Sequence, residues 1–551
     1  MKAIVLGTGI CYKTSGCSMC DGSGSAPECL KGRGCQTGGK LLAKVLSGAV
    51  VGIDGYLMEV EVDISRGLPA FTTVGLPEIS VRESRERVKS AISNCGYRFP
   101  DDRITVNLAP AHIKKAGTGF DLPIALGLLA ATETIAPDGV SGYPIIGELA
   151  LDGRVKPVTG CLPMAIAAKA AGYAGIVVPW ENRREAAVVA GMPVYPVKNL
   201  IEAVGFFTGE RPVAPEAWDF SQSLANTDCQ PDAVDDFAEV AGQAHVKRAM
   251  EVAAAGGHNL IMVGPPGSGK TMLARRFAGI IPALTFEEAI ETTKIFSVAG
   301  LMTDHQALVT KRPFRAPHHS ISDAGMIGGG AIPRPGEVSL AHNGVLFLDE
   351  LAEFKKPVLE LLRQPLESHA VHISRAATAV RYPARFSLVA AMNPCPCGYY
   401  NDPRHSCHCS SAQIRNYRQK VSGPLFDRID IHVEVPPVAY RELSTEQRSE
   451  GSAEIRERVT TARRRQMQRF QPFGIYMNAQ MQNRHIRKFC AIDGDSAALL
   501  ETAVDRLGLS ARAYNRILKI ARTIADLDGR DTVKAEHIGE AIQYRSLDRA
   551  V

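Results

Sequence analysis

Residues 260 to 272 read Leu260-Ile-Met-Val-Gly-Pro-Pro-Gly-Ser-Gly-Lys-Thr-Met272, and a helical run continues to Ile280. Four apolar residues make a short buried strand, and the glycines that follow mark a tight loop. The order strand, GxxxxGK[ST], helix is the context in which this pattern binds phosphate. Gly264, Pro265, Pro266, Gly267, Ser268 and Gly269 form the loop, and Lys270, Thr271 and Met272 open the helix. Backbone N–H groups curling around an anion at a helix N-terminus supply the binding. Lys270 is placed to reach the β- and γ-phosphates, and the Thr271 hydroxyl to hold Mg²⁺. The reading predicts an α/β core with ATP and Mg²⁺ as cofactors.

A partner strand strengthens it. Gly344 to Leu348 is apolar and ends in Asp349-Glu350, 79 residues after Lys270. Asp349 is expected to hold the metal ion, and Glu350 to orient and deprotonate the attacking water. A third strand, Phe386 to Met392, ends at Asn393. An Asn before Pro394 is by itself an ordinary turn starter.

Working outward, the chain has 551 residues, with 63 Lys+Arg against 58 Asp+Glu. Hydrophobic content of 45% and charge of 22% suit a globular protein and exclude wholesale disorder and collagen-like repeats. No uncharged apolar run approaches the ~18–20 residues that span a bilayer. Met1 to Tyr12 is too short and Gly-rich for a secretory signal. A cytoplasmic protein without a membrane partner is expected.

Residues 1–40 are Gly-, Ser- and Cys-rich and read as a disordered tail or a misplaced start. Residues 41–208 alternate strand and helix signals, with strands around an Asp54-Gly55 turn, a helix at Val81 to Asn94 and a buried helix at Leu122 to Thr132. Residues 209–235 form a Pro-containing acidic linker; eight acids face one base between Glu210 and Val240. A core spans 236–445 and a helical region 446–551, with helices at Ser452 to Phe470, Ser496 to Leu507 and Ala511 to Leu527. The linker's net −7 and +2 before it leave about +10 on residues 241–551. That balance suits a polyanion, weakly.

Five of the thirteen cysteines lie in the first 35 residues, and four fall at Cys395, Cys397, Cys407 and Cys409. Two CxC pairs nine residues apart suit four thiolates around one structural Zn²⁺, with buried or redox-exposed free thiols as the other reading. Basic residues interleaved with an aromatic, Arg312, Phe314 and Arg315, lie in a long insertion from Lys294 to Ala341. Arg375 and Arg381 sit at hairpin spacing before the third strand. Both segments suit phosphate contact and stacking, or else solvated loops and subunit contacts. Arg463-Arg-Arg465 with Arg469 reads first as a solvated helix face.

The strings Gly75-Leu-Pro, Asn107-Leu-Ala-Pro110, Gly119-Phe-Asp-Leu-Pro123, Arg315-Ala-Pro-His-His319 and Asn393-Pro-Cys-Pro-Cys-Gly398 resemble the ComM/YifB family of magnesium-chelatase-like AAA+ ATPases. The resemblance implies a multidomain α/β protein. A Lon-protease-like (ribosomal S5-like) domain precedes a P-loop AAA+ core with a C-terminal helical lid. It implies that Asn393 helps position the water, that Asp236 to Gln243 flanks the adenine, and that Arg428 and Arg512 are the arginine finger and second sensor, with Arg516 next. An arginine supplied by a neighbour implies a homo-oligomeric ring, a hexamer. Alignment with the Lon nucleophile loop puts Gly119 at the serine and Leu162 at the lysine, so proteolysis is not expected. The implied activity is a DNA motor, a branch-migration helicase in natural transformation working with recombination proteins. A chelatase-type motor acting on a protein partner and a Lon-like ATP-dependent protease are the alternatives.

Overall fold

The computed structural model describes residues 5–6, 9–10, 41–111, 115, 117–217, 236–303, 305–330, 333–375, 378–437 and 450–545. The expected tail, apart from the two-residue strands Val5–Leu6 and Gly9–Ile10, and most of the expected linker lie outside the described residues.

Alternating apolar residues decide the first sheet. Strand β1 (Leu41–Val51) pairs antiparallel with β2 (Asp54–Ser65), where Met58, Val60, Val62 and Ile64 are buried on one face. Strands β3 (Ala70–Val74) and β4 (Arg103–Ala109) complete the order β1-β2-β4-β3. Helices α1 (Ser84–Asn94) and α2 (Asp121–Ala131) pack together, α2 buried along its whole length. The hairpin turns at Gly52-Ile53, not at Asp54-Gly55 as the sequence suggested: Asp54 pairs with Val51, and Gly52 takes φ +68°. Gly55 is a glycine for another reason. A Cβ there would lie 2.2 Å from the Pro163 carbonyl oxygen, where helix α3 (Cys161–Ala170) crosses the strand.

The second sheet is parallel throughout. Strands β5 (Leu260–Val263), β6 (Phe314–Arg315), β7 (Val345–Leu348), β8 (Ser387–Met392) and β9 (Ile431–Glu434) lie in the order β6-β7-β8-β5-β9. Near-continuous apolar runs fit strands covered on both faces. From β5 the chain passes to β6, returns through β7 and β8, and places β9 on the far flank of β5. The order therefore reverses at β5, and ligands of open α/β sheets bind at the carboxyl ends of the strands at such a point. Helices α4 (Ala244–Gly256) and α5 (Lys270–Ile280) flank this strand. Helix α6 (Phe286–Ala299) runs past Lys294, so the insertion begins later than expected. The hairpin before β8 comprises Ala370–Arg375 and Thr378–Pro383.

Among the described residues five α-helices follow, the short Asn483–Phe489 and four longer ones: α7 (Ser452–Phe470), α8 (Gly494–Leu507), α9 (Ala511–Leu527) and α10 (Ala535–Gln543). Helix α8 begins two residues ahead of the expected Ser496 because the Asp493 side chain caps it, accepting from the Ser496 N–H at 2.9 Å. Val459, Phe470, Ile517 and Ile524 share one core with Leu260, Met262 and Phe277, so the helical end and the sheet pack as a continuous unit. No helix among the described residues is long and apolar enough to cross a membrane.

Candidate nucleotide site and four-cysteine knuckle

The loop after β5 takes the shape its glycines permit. Gly267 and Gly269 have φ of +74° and +88°, a region that strains other residues. Lys270, 9% exposed, donates from Nζ to the Gly264 carbonyl at 2.7 Å, the Pro265 carbonyl at 2.9 Å and Asn393 Oδ1 at 3.3 Å. Burial lowers its pKa, while the Asp349 and Glu350 carboxylates act in the opposite direction. Thr271 Oγ1 donates to Asp349 Oδ2 at 2.7 Å, and Asp349 Oδ1 accepts from the Glu350 N–H at 3.0 Å. A hydroxyl and a carboxylate in contact beside a loop of amides and a buried amine are a donor set that fits a magnesium–nucleotide. Gln243, at φ +53°, ties the Asp236 to Gln243 segment to the loop by donating to the Ser268 and Pro436 carbonyls, both at 3.0 Å.

Glu350 has φ +51°, backbone strain of the kind that collects at functional sites. Its carboxylate stands 3.4 Å from His319 Nδ1. The His319 ring lies 4.1 Å from that of His318 and 6.4 Å from Phe354. His319 is a residue that sequence reasoning missed. In the sequence the adjacent histidines stand out only as the end of the Arg315-to-His319 string, and no spacing links them to Glu350.

Arg428 and Arg512 are brought together, away from the loop. Arg428 donates to the Glu367 carboxylate and the Pro424 carbonyl, and its own carbonyl accepts from Asn259 Nδ2 at 3.1 Å. Arg512 Nη1 lies 3.9 Å from Asp427, and Arg516 Nε 3.2 Å from Asp430. Burial acts to raise the Asp430 pKa, but its hydrogen bond with His258 and the Arg516 charge hold it well below the carboxylate range. Arg428, Arg512, Arg516 and Lys519 line one cavity of about 230 Å³. Strands β5 and β9 run parallel from Leu260 opposite Ile431 to Val263 opposite Glu434. Arg428 therefore sits at the amino end of these strands and the phosphate loop at the carboxyl end.

Three residues expected at a nucleic-acid surface are committed within the fold. Arg312, with an 11% exposed side chain, donates to the Pro282, Asn343 and Ala283 carbonyls and to Glu288 at 2.9 Å. Phe314 stacks on Phe347 at 5.9 Å, and Arg315 makes a two-pronged pair with Glu337 at 2.6 and 2.7 Å. Their fixed partners leave them little for a phosphate. Arg381 is exposed; the Arg375 side chain lies outside the described residues. The Arg463 cluster is divided: Arg464 is exposed, whereas Arg463 and Arg469 have partners inside the fold. Arg463 donates twice to the Ala254 carbonyl, and Arg469 holds Asp526.

Beyond Asn393, four sulfurs converge. Cys395 and Cys397 Sγ are 3.3 Å apart, Cys395 and Cys407 3.7 Å, and Cys397 and Cys407 3.6 Å. Cys409 joins them, all four sulfurs lying within 4.8 Å of one another. A disulfide needs ~2.0 Å, whereas four sulfurs ~2.3 Å from one tetrahedral zinc stand ~3.8 Å apart. The Cys397 sulfur also accepts from the Tyr399 N–H, and Cys409 from the Cys397 N–H. Such bonds stabilise metal-bound thiolates. In the first domain, Gly119 lies beside Val158 and Leu162 is fully buried, so neither position offers a hydroxyl or an amine.

Comparison with known proteins agrees with this architecture. Residues 236–443 match the family model described as "Magnesium chelatase, subunit ChlI", residues 60–182 that of "Subunit ChlI of Mg-chelatase", and residues 449–545 its C-terminal counterpart. The chain is 44% identical over 513 residues to "Uncharacterized protein YifB" of Salmonella typhimurium, covering 92% of this chain and 98% of that protein. It is also 44% identical over 512 residues to "Competence protein ComM" of Haemophilus influenzae, with the same coverage. Lon protease 2 of Bacillus subtilis is 26% identical over 167 residues, 27% of this chain and 30% of that one.

Proposed function

This chain belongs to the YifB/ComM family of magnesium-chelatase-like AAA+ ATPases, and on that premise we propose that it is a homohexameric motor acting on DNA. Its task in this reading is branch migration, extending strand exchange while transforming DNA is integrated in natural competence, alongside recombination proteins. The DNA task is supported by the name of the Haemophilus relative and by the exposed Arg381 on the hairpin.

The ATPase chemistry is carried by one observation, the Lys270–Asn393 and Thr271–Asp349 contacts at the carboxyl end of β5. When bound, the magnesium–nucleotide supplies the electrophilic phosphorus and charge neutralisation. Thr271 and Asp349 would hold the ion and Lys270 the phosphate oxygens. Glu350 takes the proton of the attacking water, and Asn393 orients that water. Arg428 of one copy would serve the nucleotide of its neighbour, since it sits at the opposite end of β5 and β9 from its own loop, and Arg512 would act as the second sensor. Cys395, Cys397, Cys407 and Cys409 would hold a structural zinc with no open ligand position. The proposed division is an inactive Lon-like domain at 41–208, a linker at 209–235, the ATPase core at 236–445 and the lid at 446–551.

Purified protein should move a three- or four-stranded DNA junction with ATP, while Lys270→Ala and Glu350→Gln should not. Wild type that binds junctions but never migrates them would end the helicase reading. A second reading, a chelatase-type motor remodelling a protein partner, is favoured by the internal commitment of Arg312 and Arg315. Salt-sensitive stimulation of the ATPase by DNA separates the two.

A further inference from the structure

We propose that the four-cysteine knuckle, as a Zn²⁺ site, braces two walls of the nucleotide pocket, so that the metal sets nucleotide affinity. This rests on the zinc reading above and extends it to the ATP site.

The knuckle touches both walls. One is the end of β8: Asn393, whose Oδ1 accepts from Lys270 Nζ at 3.3 Å, is two residues from Cys395. The other is the phosphate loop. Gly398 comes against Pro266 so closely that a Cβ there would lie 2.7 Å from Pro266 Cδ and 2.9 Å from Cγ. Gly398 adopts φ +86°, and its N–H donates to the Cys395 carbonyl at 3.0 Å, closing the turn that makes this approach. Beyond Cys409, the Ser411–Arg418 helix starts on a Ser410 capping box. Arg418 at its end returns to the Pro394 carbonyl at 3.4 Å.

Little else holds this segment in shape. Between Asn393 and Ser410 the chain forms no helix and no strand, and most of residues 401–410 are exposed. A stretch of that length without regular structure is uncommon in a compact domain unless something fixes it. Packing does not, because few apolar side chains are buried there. The convergence of four sulfurs at tetrahedral spacing supplies the fixed point, and soft thiolates select zinc over magnesium or calcium. Metal binding releases the thiol protons to solvent. A metal clamped at Cys395 and Cys397 would hold Asn393 against Lys270 on one side and Gly398 against Pro266 on the other.

The test uses the full chain, purified without chelator. Metal analysis is expected to find one zinc per chain. Release of that zinc by a mercurial reagent, followed by a chelator, should weaken binding of a fluorescent ADP analogue by about tenfold or more while far-ultraviolet circular dichroism is retained. Gly398→Ala, which drives a methyl into Pro266, should keep its zinc and still lose affinity. If the metal-free protein unfolds, that variant alone decides. A protein without zinc overturns the zinc reading and the brace together. A zinc-loaded, folded Gly398→Ala with wild-type nucleotide affinity overturns the brace and leaves the zinc standing. Hydrolysis by untreated wild type, measured in parallel, reports on the ATPase reading separately.

Discussion

Glu350 is held by two contacts of different kind. Its backbone N–H donates to Asp349, whereas its carboxylate pairs with His319 across 3.4 Å, with both side chains partly exposed. A half-exposed pair of this sort is worth at most ~1 kcal/mol, a factor of about five. We expect His319→Ala to free the carboxylate and raise basal ATP turnover by up to about fivefold, leaving KM for ATP unchanged. Steady-state kinetics check this; a changed KM at constant turnover would place His319 at the nucleotide instead. The phosphate-loop residues were legible because their signal is local: consecutive residues with a strand before and a helix after. His319 was not, because its meaning lies in a contact across the long insertion. Arg312 and Arg315 show the same blindness in reverse. They looked like an exposed basic loop because Glu288 and Glu337, which claim them, stand 24 and 22 residues away.

At the scale of elements, short segments were read by composition and placed by pairing. Asp54-Gly55 has the composition of a turn, yet strand pairing with Val51 and the approach of α3 draw it into β2. A short helix further along the N-terminal region carries a buried acid with a pH consequence. Glu185, 4% exposed on the short helix Arg183–Ala187, accepts from Asn182 Nδ2 at 2.7 Å. Burial pushes its carboxyl up to about 7, against the lowering influence of the neighbouring Ser297 hydroxyl at the end of α6 and of Asn182. In the unfolded chain the group ionises from about pH 4.5, while the folded protein keeps it protonated to about 7. The folded state therefore binds the extra proton, and stability falls as pH rises through that window, then levels off above it. The loss is on the order of 3 kcal/mol at most. Glu185→Gln keeps the oxygen that Asn182 uses and removes the ionisation. It should raise Tm at neutral pH and flatten the dependence of Tm on pH between 4.5 and 7. An unchanged slope in thermal denaturation would show that Glu185 ionises freely in the folded protein.

For the whole molecule, strand order matters more than any single strand. The sequence told that Leu260–Val263, Gly344–Leu348 and Phe386–Met392 were strands and that a helical region followed, but not that Phe314–Arg315 and Ile431–Glu434 join the sheet, that β5 lies between β8 and β9, or that the lid helices share its core. Those are consequences of packing between distant segments, some of them more than 250 residues apart. The order places the phosphate loop and Arg428 at opposite ends of β5 and β9, so in the proposed ring Arg428 would serve the site of a neighbour. Arg428→Ala should lower turnover by about a thousandfold or more, the scale of a lost arginine finger. Lys270→Ala should also be inactive, through loss of phosphate contact. Mixing the two variants sets apart the arrangements. If the arginine acts on a neighbour, an intact phosphate loop in an Arg428→Ala chain can meet an intact arginine from a Lys270→Ala chain. Random assembly at equal amounts then restores roughly a quarter of the sites. If the arginine acts within its own chain, no mixture contains a complete site. Recovery of ATPase activity on mixing, scaling with the product of the two fractions, is the expected outcome; a flat, inactive titration would remove the ring's active-site basis.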